Sequence, residues 1–162
     1  MLASARRRPD WGGYYSSRIE AGDRKALLFS CPRRASALCC HVRLRSSLCE
    51  ALAVTHALLH HEKDISNCDV ICFIDNEAAS TALIKGTSTS QDVDHLAAVA
   101  HIITCRANTR MWYEWVDSGS NISDGLSRDG TSDKLALEQN WLVNEQSDIG
   151  CEILNTPLVD FI

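Results

Sequence analysis

Aromatic side chains are scarce in this chain, 6% of 162 residues, so a core must rest mainly on Leu, Ile, Val and Ala. Long apolar runs are lacking too: the best candidates are broken by His, Asp or Arg, which argues against a bilayer-spanning helix. The three arginines at 6–8 have no apolar stretch behind them, so the N-terminus does not read as a secretory signal. An intracellular protein, cytoplasmic or nuclear, with reduced thiols is the expectation. Basic excess is absent as well. The net charge is −5 and the pI about 5.6, which weighs against a free-standing phosphate-binding face. An acidic balance still suits a site for divalent ions, because bound metal reverses the local field. There are no internal repeats.

Eight cysteines are present, yet Cys49, Cys72 and Cys105 fall in strongly periodic segments, where cysteine acts as a small hydrophobe. Cys39-Cys40-His41 and Cys68/Cys72 lack the paired spacing of a zinc finger or ribbon.

The apolar fraction, 45%, is ordinary for a globular protein, and the length suits one domain with tails. Residues 1–10 read as an irregular basic N-terminus. Trp11–Tyr15 and Lys25–Cys31 read as strands, and the alternation in Cys40–Leu44 suggests an edge strand. Ser46 and Ser47 offer an N-cap, with Glu50 at capping-box distance from Ser47. The helix that follows, with Leu48, Leu52, Thr55, Leu58 and Leu59 at helical spacing, is predicted to end near His60–Lys63. Downstream, the pattern predicts a buried strand over Asp69–Ile74 and a helix over Glu77–Lys85 stopped by Gly86. A second long helix over Asp92–Asn108, a strand over Met111–Val116 and a short helical turn over Asn121–Arg128 complete the alternation. Beyond Asp129 one helix, Asp133–Leu142, and a weakly patterned tail are expected. Strands first, then strand–helix alternation, predict an α/β mixed sheet with helices packed on it.

Three carboxylates stand out by placement. Asp75 follows a buried strand and precedes a helix, where open α/β sheets put their ligand sites. Glu50 reads as lying in the first turns of its helix, favourably placed for the helix dipole, and Asp124 as lying at the start of the last short helix. Each has an ordinary reading too: Glu50 as a capping-box acid, Asp75 as an N-cap, Asp124 as a helix-start acid.

Ile71–Ala79 (ICFIDNEAA) with Ala82–Gly86 (ALIKG), then Trp115–Arg128 (WVDSGSNISDGLSR), resemble two motifs of the ribonuclease H domains of retroelement reverse transcriptases. Glu50-Ala51-Leu52-Ala53 through Ala57-Leu58 is similar to that family's Glu-bearing helix. The resemblance covers 11–128 and leaves 129–162 as a C-terminal helix and tail. It implies a ribonuclease H-like sheet and hydrolysis of the RNA strand of an RNA–DNA hybrid recognised by shape and 2′-hydroxyls. It also implies two Mg²⁺ (or Mn²⁺) ions about 4 Å apart, with Glu50, Asp75 and Asp124 as catalytic metal ligands. An adjacent reverse transcriptase domain is the implied protein partner.

The family also has an Asp on its first strand, followed by Ala-Ser, that contacts both ions. Here Leu2 precedes Ala3-Ser4. The first strand, central in the family's sheet, is therefore expected to be missing or incomplete, as in an N-terminally truncated copy, and cleavage to be impaired. The closing motif has no histidine between Trp115 and Asp124, and His56, His60, His61, His95 and His101 read as ordinary surface or half-buried residues. Arg6–Arg8 and Arg33/Arg34 suit either a nucleic-acid backbone or solvent. Two other functions fit the residues: a non-catalytic module that binds nucleic acid or braces a reverse transcriptase, and a thiol or zinc protein using Cys39, Cys40 and His41.

Overall fold

In the computed structural model, which describes residues 2–5, 11–17, 24–30, 42–121, 123–140, 142–146 and 150–162, the chain is mixed α/β. The strand predicted over Asp69–Ile74 (β4) forms as expected, with Cys72 and Ile74 buried and Ile71 exposed on the other face. It pairs in parallel with β5 (Arg110–Trp115), Cys72 beside Tyr113 and Ile71 beside Trp112. Between them lie α3 (Glu77–Lys85) and α4 (Gln91–Arg106). Gly86 ends α3 in the left-handed region, at φ 70°, where a side chain is disfavoured. His101 Nε2 lies 2.7 Å from the Leu83 carbonyl oxygen, so α4 satisfies a carbonyl in the last turn of α3.

Among the described residues the sheet has six strands. β1 (Leu2–Ala5), β2 (Trp11–Ser17) and β3 (Arg24–Ser30) run antiparallel in turn. The order is β5-β4-β1-β2-β3-β6, where β6 is Leu142–Gln146 and pairs in parallel with β3. The first strand, expected to be missing or incomplete, is present as four residues inside the stretch read as irregular, pairing with β2 on one side and β4 on the other. Backbone hydrogen bonding to two neighbours overrides the weak strand propensity of Leu-Ala-Ser-Ala.

The long helix α1 spans Val42–His60 and is followed by α2 (Glu62–Ile65). Two expectations fail at its start. Val42–Leu44 is helical rather than an edge strand, and Ser46 and Ser47 lie inside the helix rather than capping it. A few alternating residues cannot outweigh the helix propensity of Leu and Arg joined to a strong downstream pattern. α1 and α4 pack on each other, burying Leu52, Leu58, Leu96 and Ile103 completely or nearly so. Alanines at 51, 53, 57, 97 and 100 keep the helix surfaces small, and Thr55 Oγ1 donates to the carbonyls of Ala51 at 2.8 Å and Leu96 at 3.3 Å.

The segment after Asp129 is no loose tail. After α5 (Ser123–Asp129), a 3-10 turn at Gly130–Ser132 and α6 (Lys134–Glu138), the chain adds β6, then α7 (Gly150–Asn155) and a 3-10 turn at Leu158–Phe161. Ile153 and Phe161 join the hydrophobic core. Arg106 on α4 forks Glu62 and donates to the Phe161 carbonyl at 2.6 Å, while His95 Nε2 lies 3.0 Å from the Ile153 carbonyl oxygen. β6 starts where the expected helix ends and runs into the stretch read as a weakly patterned tail; it has no local strand signal, because its pairing partner β3 is over a hundred residues away in sequence. No helix among the described residues is long and apolar enough to cross a membrane.

Candidate functional site

Asp75 stands at the carboxyl end of β4, half-buried. The N-cap of α3 is its neighbour Asn76, whose Oδ1 accepts from the Ala79 backbone N–H at 3.0 Å. The capping reading of Asp75 is thereby excluded, and its carboxylate has no part in starting the helix. Asn76 also donates through Nδ2 to Ser46 Oγ at 2.9 Å, tying the end of β4 to α1. Ser46 and Glu50 are four residues apart on that helix, so they share a face one turn apart.

Glu50 is buried, at 1% exposure. Because α1 begins at Val42, Glu50 lies beyond the first two turns, out of reach of a capping box and of the N-terminal dipole. Burying a carboxylate costs free energy that ordinary helix building does not require. Its charge reaches Cys72 on β4, whose thiol is pushed up to about 12, first by burial and further by Glu50. A thiol so raised is inert at neutral pH. Alkylation of the native protein is expected to modify exposed Cys68 and Cys105 while sparing Cys72, which should react only after denaturation, as read by peptide mass mapping. The exposure of Cys105 and partial exposure of Cys49 depart from the buried-hydrophobe expectation, which Cys72 meets.

Asp124 lies in the first turn of α5, at 7% exposure. Upstream, Asp117 closes its turn by accepting from the Gly119 and Ser120 backbones at 3.0 and 3.1 Å and from Ser120 Oγ at 2.7 Å. The Ser120 hydroxyl above all, with these amides, holds the Asp117 carboxyl below its ordinary value. Buried Asn121 then accepts from Ser123 Oγ at 2.7 Å and from its backbone N–H at 3.2 Å, an Asx-type turn that launches the helix.

Gly125 has a steric reason beside Asp124. A Cβ there would overlap Asp133 Oδ2 and lie 3.0 Å from its Cγ. Asp133 is buried and caps α6, accepting from the Ala136 N–H at 2.8 Å. Gly125→Ala should therefore displace the cap and cost about 2–4 kcal/mol, the sum of a lost N-cap and local overpacking. Urea denaturation checks this, and Asp133→Ser in the Gly125→Ala background should recover part of the loss.

The elements that bear the three carboxylates all adjoin one strand. α1, which bears Glu50, packs on β1; β4, which ends in Asp75, pairs with β1; α5, which bears Asp124, packs on β1 and β2. Leu2 occupies β1 beside Phe73 of β4 and Tyr15 of β2. Oxygen donors suit hard divalent ions. Among the described residues, however, no group of three or more His, Cys, Asp or Glu is placed to hold a metal. Leu2, on the strand that these three elements border, adds no oxygen donor to such a set.

Sequence reasoning missed several residues that the fold employs. Asn76 and Ser46 have no signal beyond their types, and the histidines were read as ordinary. His95 and His101 are half-buried as expected and also bond helix-end carbonyls, whereas His56 is buried at 2% exposure. Arg6–Arg8, Arg33/Arg34 and Cys39-Cys40-His41 lie outside the described residues. No family model, no curated protein and no solved structure matches the chain.

Proposed function

We propose that this chain is a ribonuclease H-like domain of the retroelement type, built for RNA–DNA hybrids but impaired in hydrolysis by Leu2. The observation that carries the reading is the convergence of the Glu50, Asp75 and Asp124 elements on β1. The short β1, between β2 and β4, agrees with the central first strand of that family. Two of the three acids also lose their ordinary explanations, since Asn76 does the capping at Asp75 and Glu50 is too far along its helix. In this reading Glu50, Asp75 and Asp124 are the retained ligands for Mg²⁺ or Mn²⁺, and position 2 is the vacancy in the set. Ions held by these three residues would supply activation of water and stabilisation of the leaving oxygen of a phosphodiester.

The test is cleavage of an end-labelled RNA–DNA hybrid in Mg²⁺ by the chain as it stands, by Leu2→Asp and by Leu2→Asp with Asp75→Asn. Cleavage by the second alone supports the reading. The net charge of −5 favours a second one, a non-catalytic module bracing a neighbouring reverse transcriptase. That module would stay inert in all three forms.

A further inference from the structure

β5 is the outermost strand at one end of the sheet, and it carries a self-complementary sequence, Arg110-Met111-Trp112-Tyr113-Glu114-Trp115. Its backbone polarity is fixed by two bonds toward β4. The Arg110 N–H donates to the Cys68 carbonyl and the Val116 N–H to the Ile74 carbonyl, each at 3.0 Å. By the two-residue period of a strand, residues 110, 112, 114 and 116 direct their backbone groups inward to β4. Those of Met111, Tyr113 and Trp115 therefore point to the outer edge, where no described strand pairs with them.

The outer face of β4 and β5 is unusually apolar for an exposed surface. Trp112 is 64% exposed and Ile71, beside it in register, 53%. Arg110 pairs with Asp69 of the neighbouring strand, with Nη2 2.7 Å from Oδ2, and exposed Glu114 accepts from Trp112 Nε1 at 2.9 Å. One face thus presents Arg110, Trp112 and Glu114 in a row along the edge: positive, aromatic, negative.

We propose that the β5 edge is a homodimer interface, in which β5 of a second copy pairs antiparallel across a two-fold axis at Trp112. This register sets Met111 opposite Tyr113 of the second copy in hydrogen-bonded pairs, using the outward backbone groups. Trp112 meets its own counterpart in a non-hydrogen-bonded pair, where side chains come closest. Arg110 faces Glu114 of the second copy, twice by symmetry. Each Arg110 then lies between two carboxylates, its own Asp69 and the second copy's Glu114. The apolar row runs Ile71, Trp112, Trp112, Ile71 across four strands. Sliding by one pair in the other direction sets Arg110 against Val116 and Glu114 against Trp112, and loses both charge pairs. Charge complementarity therefore selects one register and one occupant, a second copy of this chain.

Sedimentation velocity over a concentration series of the full chain tests the interface. A monomer–dimer equilibrium is expected, with slowed amide exchange at Met111, Tyr113 and Trp115 as dimer forms. Arg110→Glu and Glu114→Arg should each weaken dimerisation by about tenfold or more, because like charges then face each other in two symmetry-related pairs. The combined Arg110→Glu/Glu114→Arg chain should restore it. Glu114→Arg leaves the Asp69–Arg110 pair intact, so it remains informative even where Arg110→Glu disturbs folding. A monomer at every concentration, a dimer indifferent to Glu114→Arg, or a double variant no better than the single ones would overturn the proposal.

Discussion

Leu2→Asp is expected to give this chain Mg²⁺-dependent cleavage of an RNA–DNA hybrid at least about a hundredfold above the unsubstituted protein, since ligand completion governs two-metal chemistry. Position 2 matters because of where β1 lies. It is bordered by the elements bearing Glu50, Asp75 and Asp124, and Leu2 stands beside Phe73, two residues before Asp75. Leucine offers no lone pair to an ion. A carboxylate there would add an oxygen donor on the strand that the three acid-bearing elements border. A second readout follows: Mg²⁺ should raise the melting temperature of Leu2→Asp more than that of the unsubstituted chain, because an ion that binds only the folded form stabilises it. Leu2→Asn, polar but uncharged, serves as the control and should stay inactive. Adding Asp75→Asn to Leu2→Asp should abolish both cleavage and the thermal response. If Leu2→Asp folds, as judged by circular dichroism, yet neither cuts nor responds to Mg²⁺, the nuclease reading is wrong and the bracing module takes its place.

Acid should destabilise the fold through His56, and the effect should vanish when that residue is replaced. Burial first, then the charges of His60 and His61, lower the His56 pKa from 6.5 to about 4. The His60 ring stacks over His56 with centroids 6.3 Å apart, and His61 sits edge-on to His60 at 4.9 Å. Neutral in the fold and ordinary once unfolded, His56 takes up a proton on unfolding between pH 6.5 and about 4. The stability it contributes is complete above that window and is lost as the pH falls through it, by about 3 kcal/mol in all. Urea denaturation of the native chain and of His56→Leu at neutral pH and near pH 4.5 checks this. The drop should be smaller in His56→Leu by most of that amount; equal drops in the two proteins would exclude His56 as the source.

Much of the second half was legible in the sequence. β4, α3 and its stop at Gly86, α4 and β5 lie within a residue or two of their predicted limits. Their signals are local: a period of two or of 3.6 and a glycine after the last turn. The strands at Trp11–Ser17 and Arg24–Ser30 and the body of the long helix were legible too, but the strand at Leu2–Ala5 and the C-terminal segment were not. Leu2–Ala5 has no strand pattern of its own and is a strand because two neighbours pair with it. Leu142–Gln146 likewise depends on β3, far away in sequence.

The same division runs through the site. Sequence alone picked out Glu50, Asp75 and Asp124 and the leucine at position 2, because residue identity and motif order need no fold. Only the tertiary structure decided what those residues are free to do. Asn76 rather than Asp75 caps α3, and α1 starts early enough to put Glu50 in its buried middle. The cap itself is a local contact, Asn76 Oδ1 with the Ala79 N–H, but Asn76 also ties the end of β4 to Ser46, and no local pattern encodes a contact whose partner lies on another element.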